Sequence, residues 1–90
     1  MTFEWDERKS SQNLHKHGVG FREAATVFDD PLSTTFADEE HSLAERRFIT
    51  IGLSALGRIL VVAHTEVGST IRIISARQVA PAERKFYEEN

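Results

Sequence analysis

The sequence predicts a small α+β domain, with a short N-terminal strand and two helices followed by an antiparallel β-meander and a C-terminal helix. Three observations predict it. Apolar residues recur at helical spacing in the first third of the chain, they alternate with polar residues or form short runs from residue 47 to 77, and a proline opens the final segment. The 90 residues are close to the size of one small core, so residues 1–90 are expected to form a single domain.

The N-terminal segment predicts a strand and a helix. Phe3, Glu4 and Trp5 alternate apolar and charged side chains, which is typical of a short edge strand. Asp6 is a suitable N-cap for a helix that ends at about residue 17, where Gly18 supplies a left-handed C-cap. The apolar side of this helix is thin, with Leu14 its one large residue, so we expect it to lie on the surface of the sheet.

A second helix is predicted to begin near Gly20. Its buried face is formed by residues at helical spacing, namely Phe21, Ala24, Ala25 and Phe28. Two aspartates and Pro31 end it, because the residue before a proline is disfavoured in helical geometry.

The strands are predicted at 33–37, 47–54, 59–65 and 70–77, with an acidic loop at 38–45. Gly57 and Gly68 mark tight turns, which imply antiparallel pairing of the last three strands. Strand 59–65 is nearly all apolar, as expected of a central strand covered on both faces. In the last strand Ile71 and Ile73 are expected on one face, and Arg72, Ile74 and Ala76 on the other. Pro81 fits the first turn of a closing helix.

Composition restricts the function. Fourteen acidic and eleven basic residues give a net charge of −3, so any nucleic-acid chemistry must depend on a local positive cluster. The absence of cysteine excludes disulfides, thiolate nucleophiles and cysteine zinc sites. The charged start MTFEWDERK lacks the apolar core of a signal peptide, and the apolar run at 59–63 is too short to span a bilayer. A cytoplasmic protein without membrane contact is expected.

Seven segments appear in a fixed order along the chain: FEWDERK, NLHKHGVGFREAATVFDDP, HS..ER, TIGLS, GRILVVAHTE, RIISAR and ERKFYE. Together they resemble the BrnT family of type II toxin–antitoxin systems. The resemblance implies a RelE-like ribonuclease fold and a neighbouring antitoxin with a ribbon-helix-helix DNA-binding part. It also implies that toxin and antitoxin form a hetero-oligomer that represses their own operon, so that the toxin meets operator DNA only through the antitoxin.

RNA can be cut without a metal, and no cofactor is expected here. The ribose 2′-OH attacks the adjacent phosphorus, and the reaction requires neutralised phosphate charge and proton transfer to and from oxygen. Arginine suits the charge, and histidine, glutamate or tyrosine suits the protons. No metal site is predicted, because the four histidines lack organised carboxylate spacing and His15 and His17 point to different helix faces.

Four residues are candidates for catalysis: Arg72, Arg77, His64 and Tyr87. Five residues apart in a strand, the two arginines start on opposite faces, and they share a cleft only if the strand twists, bulges or ends near Ser75. Arg77 is the better catalytic candidate. Alternatively, one of the arginines packs its stem on the core and pairs with an acid such as Glu83. His64 either handles protons or is a hydrogen-bonded histidine at the sheet rim, and Tyr87 either enters the cleft or packs in the core.

Lys16, Arg46 and Arg47 are candidates for a positive rim that holds the RNA backbone, although such charges are often simply solvated. Two functions follow. The first is a metal-independent RNA endonuclease that inhibits translation and is neutralised by its antitoxin, as the resemblance implies. The second is a non-catalytic antitoxin-binding module that acts only in a repressor complex, which the weak positive charge favours.

Overall fold

The computed structural model describes residues 1–42 and 45–89 and confirms the predicted α+β order of elements. The strands are β1 (Thr2–Glu4), β2 (Thr34–Ala37), β3 (Arg47–Leu53), β4 (Ile59–Val67) and β5 (Thr70–Gln78), and the helices are α1 (Glu7–His17), α2 (Phe21–Ala25) and α3 (Pro81–Glu89). Short 3-10 turns cover Thr26–Asp29 and Glu39–His41. The predicted acidic loop at 38–45 therefore contains a turn of helix, and its residues 43 and 44 lie outside the described residues.

The five strands of the described chain form one sheet in the order β1-β5-β4-β3-β2. Strands β2 to β5 pair antiparallel, which confirms the predicted meander. Strand β1 pairs parallel with the first residues of β5, so that Phe3 lies opposite Ile71. The sheet is therefore mixed, and the prediction of an antiparallel arrangement holds only for the part after α2.

The two faces of the sheet are covered unequally. Helix α2 and the turn Thr26–Asp29 lie on the helix-covered face. The main core on this face consists of Val19, Phe21, Ala24, Val27, Leu60, Val62, Ile71, Ile73 and Ala76. The other face, called the open face below, buries a smaller cluster of Ile51, Ile59 and Val61 beneath α3. Burial of each large aliphatic side chain contributes roughly 1.5–3 kcal/mol, so most of the stabilisation comes from the helix-covered face. In the described residues, every helix is too short or too polar to cross a bilayer.

Strand β5 contains a β-bulge in its middle. Ser75 pairs with Ala63 and Ile73 pairs with His64, which leaves Ile74 with no partner in β4. An extra residue resets the alternation of side chains. Ala76 consequently joins Ile71 and Ile73 in the main core, and the prediction that it lies on the opposite face from them is wrong.

The bulge also changes the position of the two arginines. Arg72 pairs with Thr65 and Arg77 pairs with Val61, and these β4 residues are an even number of positions apart. Because paired residues of an antiparallel sheet share a face, Arg72 and Arg77 both belong to the open face. In a regular strand, a spacing of five residues would place the two side chains on opposite faces.

Helix α1 is attached to the sheet by a polar side chain. The Nδ2 group of buried Asn13 donates to the backbone carbonyl oxygens of Val19 and Ala76, each at 2.7 Å, and the Ala76 amide donates to Asn13 Oδ1 at 3.3 Å. Leu14 is 55% exposed and contributes little packing. Since β1 pairs only with residues 70–72 of β5, the Asn13 amide takes the place of a strand at the free part of that edge.

Helix α3 is held on the open face through Asp30. The Tyr87 hydroxyl donates to Asp30 Oδ2 at 2.5 Å, and the amides of Leu32 and Leu53 donate to the same carboxylate at 2.9 and 2.8 Å. Burial alone would raise the pKa of Asp30, but the three hydrogen bonds together lower it. The same interaction raises the pKa of Tyr87 to about 12. Tyr87 also packs against the smaller core, as the core-packing alternative predicted.

His64 is fully buried on the helix-covered face. Its Nε2 is 2.7 Å from Thr50 Oγ1, and its ring lies edge-on to Phe28 and stacks against Phe48. Burial lowers the pKa of His64 to about 4 from its ordinary value of 6.5. The folded protein therefore keeps this ring neutral at pH values where the unfolded chain binds a proton.

We expect the protein to lose stability as the pH falls from about 6.5 to about 4, because protonation of His64 favours the unfolded chain in this range. The pKa difference corresponds to roughly 3 kcal/mol. Urea unfolding at pH 7.0, 5.5 and 4.5 measures it. His64→Gln should flatten the pH dependence of the free energy of unfolding, whereas His15→Gln, a change on the exposed side of α1, should leave it intact. Equal pH slopes for the wild type and His64→Gln would contradict this prediction.

Candidate active site

The open face contains a hollow of about 360 Å³. Apolar and small residues from the middle of the sheet line part of it, namely Ile49, Val61, Ala63 and Ala76. Its polar lining consists of His17, Asp38, His41, Arg47, Ser75 and Arg77. This hollow thus combines two imidazoles, two guanidinium groups, a hydroxyl and a carboxylate above an apolar surface.

Four separate segments deliver these polar groups. His17 is the last residue of α1, whose position is fixed by the bonds from Asn13 to Ala76. Ser75 and Arg77 reach the open face because of the bulge at Ile74. Arg47 opens β3, and Asp38 and His41 come from the turn that follows β2. The site therefore exists only in the folded chain.

Asp38 orients His41. The Nδ1 of His41 lies 2.9 and 3.1 Å from the two carboxylate oxygens of Asp38, so this nitrogen carries the proton that is donated. Asp38 is itself tied to β3, since the Ser42 hydroxyl donates to the Asp38 carbonyl and accepts from the Arg47 amide. Nε2 of His41 makes no hydrogen bond with the described residues.

The two arginines of the hollow differ in their partners. Arg77 makes a bidentate ion pair with Glu83 of α3, with both N–O distances at 2.7 Å. This pairing raises the pKa of Arg77 and lowers that of Glu83 to about 2. The alternative in which an arginine pairs with Glu83 is thereby confirmed. The guanidinium of Arg47 has no ion pair or hydrogen bond with residues 1–42 and 45–89.

The structure brings only one of the four predicted catalytic residues to the hollow, and that residue is Arg77. Arg72 pairs with Glu4 at 3.2 Å and lies opposite Thr65, four β4 positions or roughly 13 Å from the level of Arg77.

The other two candidates, His64 and Tyr87, lie outside the hollow. His64 is enclosed on the opposite face of the sheet, where its register neighbour Ile73 also lies, so it cannot touch a substrate in the hollow. The hydroxyl of Tyr87 is engaged by Asp30 away from the hollow. His64 is hydrogen-bonded, as its alternative predicted, but it is fully buried and does not lie at the sheet rim. Tyr87 follows the core-packing alternative.

The three predicted rim residues lie in different places. Arg47 lines the hollow itself. Lys16 lines a shallow neighbouring groove along α1. Arg46 is exposed, and its guanidinium lies 5.4 Å from the centre of the Phe48 ring, outside the lining of the hollow.

Sequence reasoning missed His17, His41 and Asp38 as site residues. The aspartate and histidine stand three residues apart in a segment interpreted as an exposed acidic loop, and a turn of helix brings such residues together. His17 was assigned only to the basic end of α1. In residues 1–42 and 45–89, no group of three or more histidine or acidic side chains is arranged to hold a metal ion.

Comparison with known proteins identifies the family of the chain. Residues 5–83 match the family model described as the ribonuclease toxin BrnT of type II toxin–antitoxin systems. The crystal structure of the Brucella abortus ribonuclease toxin BrnT is similar, with a TM-score of 0.67 and 28% identity over 89% of this chain and 97% of that chain. No curated protein sequence matches the chain. The family match spans nearly the whole domain, and the chain therefore belongs to the BrnT family of ribonuclease toxins of type II toxin–antitoxin systems, which implies an antitoxin partner.

Proposed function

We propose that the protein is a metal-independent RNA endonuclease that works in the cytoplasm and inhibits translation. We also propose that its fold is of the RelE-like kind. Its cognate antitoxin is of the ribbon-helix-helix type, and the two form a hetero-oligomer in which only the antitoxin contacts operator DNA. The observation that carries the nuclease assignment is the hollow, which gathers His17, His41, Arg47 and Arg77 on one face of the sheet.

The two histidines match the two proton transfers of the reaction. His41 takes the proton of the ribose 2′-OH at Nε2, and Asp38 stabilises the imidazolium that forms. The 2′ oxygen then bonds to phosphorus, the bond from phosphorus to the 5′ oxygen breaks, and His17 gives a proton to the departing 5′ oxygen. His17 is the last residue of α1 and lines the hollow, which places its imidazole where it can reach the departing oxygen. The products are a 2′,3′-cyclic phosphate and a 5′-hydroxyl.

The arginines supply the positive charge that the whole chain lacks. Arg47, which has no partner in the described residues, binds the scissile phosphate with its planar guanidinium. Arg77 is held at the wall of the hollow by Glu83 and adds a second set of donors when the carboxylate gives way to phosphate. A net charge of −3 is compatible with this scheme, because the charge that matters is local.

A second candidate is a non-catalytic module that only binds the antitoxin. The neutralisation of Arg77 by Glu83 favours it, since it leaves one unpaired guanidinium in the hollow. Expression in cells separates the two functions. Growth arrest by the wild type and relief by His41→Ala support the nuclease, whereas a harmless wild type at full expression supports the binding module.

The purified protein is expected to cleave RNA in excess chelator, since the described side chains provide both charge neutralisation and proton transfer. An oligonucleotide with a 2′-deoxy or 2′-O-methyl sugar at the cleaved position should resist, because its nucleophile is missing. The control is the same oligonucleotide with the modification several nucleotides away. Loss of cleavage on chelation, or equal cleavage of the 2′-modified site, would overturn the mechanism.

His41→Ala should lower the single-turnover cleavage rate by about 10²–10⁴-fold, the range for loss of a general base. Asp38→Asn should lower it less, because the imidazole stays in place without its carboxylate. The matched control is His15→Ala on the exposed side of α1, which should cleave like the wild type. Circular dichroism verifies folding, and a His41→Ala enzyme with normal activity would exclude this residue as the base.

Arg47→Ala should weaken cleavage about 10²-fold or more, as expected when a donor to the transition-state phosphate is removed. Arg47→Lys should restore only part of the activity, since an ammonium group lacks the planar fork. Arg72→Ala is the control from the same face and should remain within about twofold of wild type, because the Arg72–Glu4 pair is exposed. A larger loss for Arg72→Ala than for Arg47→Ala would place the phosphate elsewhere on the sheet.

A further inference from the structure

A second, shallower groove of about 320 Å³ runs along α1 and adjoins the hollow. His17 and Ser75 line both of them, so the two spaces are continuous at the end of α1. The groove is otherwise lined by Lys9, Gln12 and Lys16 of the helix and by Ile74, the bulged residue of β5. A chain that occupies the hollow can therefore continue along this helix.

The charged groups of this groove are free to bind a ligand. Lys9, Gln12 and Lys16 stand at helical spacing on one side of α1, and the ammonium groups of both lysines have no ion pair with residues 1–42 and 45–89. Asn13 belongs to the lining but is already engaged by the backbone of Val19 and Ala76. Lys9 and Lys16 are seven residues apart, which corresponds to roughly 10 Å along the helix axis. Two ammonium groups at this distance, with the Gln12 amide between them, suit a polyanion with regularly spaced charges.

The opposite exit from the hollow does not suit a polyanion. There, a groove of about 380 Å³ is mainly apolar and is lined by side chains such as Phe36, Ile51 and Ala82. Its two charged lining residues are Arg77 and Glu83, which neutralise each other. An RNA strand bound in the hollow thus meets unpaired positive charge in one direction and apolar surface in the other.

We infer that the groove along α1 binds the RNA backbone on the 3′ side of the cleaved bond. The inference rests on the proposed function, in which His17 protonates the departing 5′ oxygen. That oxygen belongs to the nucleotide on the 3′ side, and His17 is the residue that joins the hollow to the groove. Lys16 contacts the first phosphate beyond the cut, and Lys9 contacts a phosphate further along the strand.

The test combines binding and cleavage for a Lys9→Ala/Lys16→Ala double variant. Fluorescence anisotropy of a labelled single-stranded RNA is measured against salt with the double substitution placed in the inactive His41→Ala protein. The slope of log affinity against log salt should fall by about 1.4, twice the roughly 0.7 expected for each phosphate contact on a single strand. In the active protein the double variant should show a KM about tenfold higher, with kcat within about twofold of wild type. Lys85→Ala, which removes a 75% exposed lysine on α3, is the matched control and should change neither quantity.

Shortened substrates test the direction of the strand. Removing nucleotides from the 3′ side of the cut should raise the KM of the wild type but not that of the double variant, whereas removing them from the 5′ side should affect both alike. If the double variant keeps the wild-type salt slope and KM while His41→Ala abolishes cleavage, the groove assignment is overturned and the nuclease stands. If the wild type does not cleave RNA but binds it with the lysine-dependent salt slope, the nuclease is overturned and RNA binding along α1 stands. A wild type that neither cleaves nor binds RNA overturns both.

Discussion

The bulge at Ile74, together with the Asn13 side chain that grips the next part of β5, is the constraint on which the site depends. The extra residue turns Ser75 and Arg77 towards the open face while Ile73 and Ala76 remain in the main core. In a regular strand, Ile73 and Arg77 would share one face, so either the apolar or the polar side chains would lie on the wrong face of the sheet. Strand β5 thus contributes alternate side chains to the main core and to the hollow.

Asn13 couples the same point of β5 to α1. Its amide satisfies both the N–H and the C=O of Ala76 at an edge that β1 leaves unpaired. Leaving these buried groups without partners would cost about 1–3 kcal/mol each, so the helix is fixed in position although it buries little apolar surface. Because His17 lies one helical turn after Asn13, this bond also sets where the imidazole stands relative to Arg77.

Most of the fold was predictable because its signals are local. Asp6 and Gly18 cap α1 as expected, with the Asp6 carboxylate accepting from the amides of residues 8 and 9 and Gly18 at a φ of 73°. The bulge was not predictable, since Ile74 is one apolar residue in a run of strand-forming residues and nothing local distinguishes it from Ile73. The parallel pairing of β1 with β5 joins residues 68 positions apart, and a pattern within either segment contains no information about that contact.

The site was less predictable than the fold for the same reason. Arg77 could be found because it ends a strand, and its pairing with Glu83 could be foreseen because only six residues separate them. The hollow, however, depends on long-range contacts that bring residues 17, 38, 41 and 47 next to β5. Reasoning from the net charge pointed away from phosphate binding, because the net charge averages over the whole chain. It does not show that the Arg47 guanidinium has no acidic partner among the described residues.

Glu83 shows how a negatively charged domain can keep a guanidinium at the proposed phosphate site. Its carboxylate accepts from Arg77 and from the Ala80 amide, so it retains a backbone donor when the arginine leaves. The side chains of the pair are 44% and 31% exposed, and water therefore screens their attraction and solvates the freed carboxylate. In the proposed reaction, the exchange of carboxylate for phosphate at Arg77 replaces one bidentate charge pair with another, while Arg47 needs no such exchange. The arginine that is already unpaired is therefore the one that captures the phosphate first, and Arg77 follows as the strand settles into the hollow.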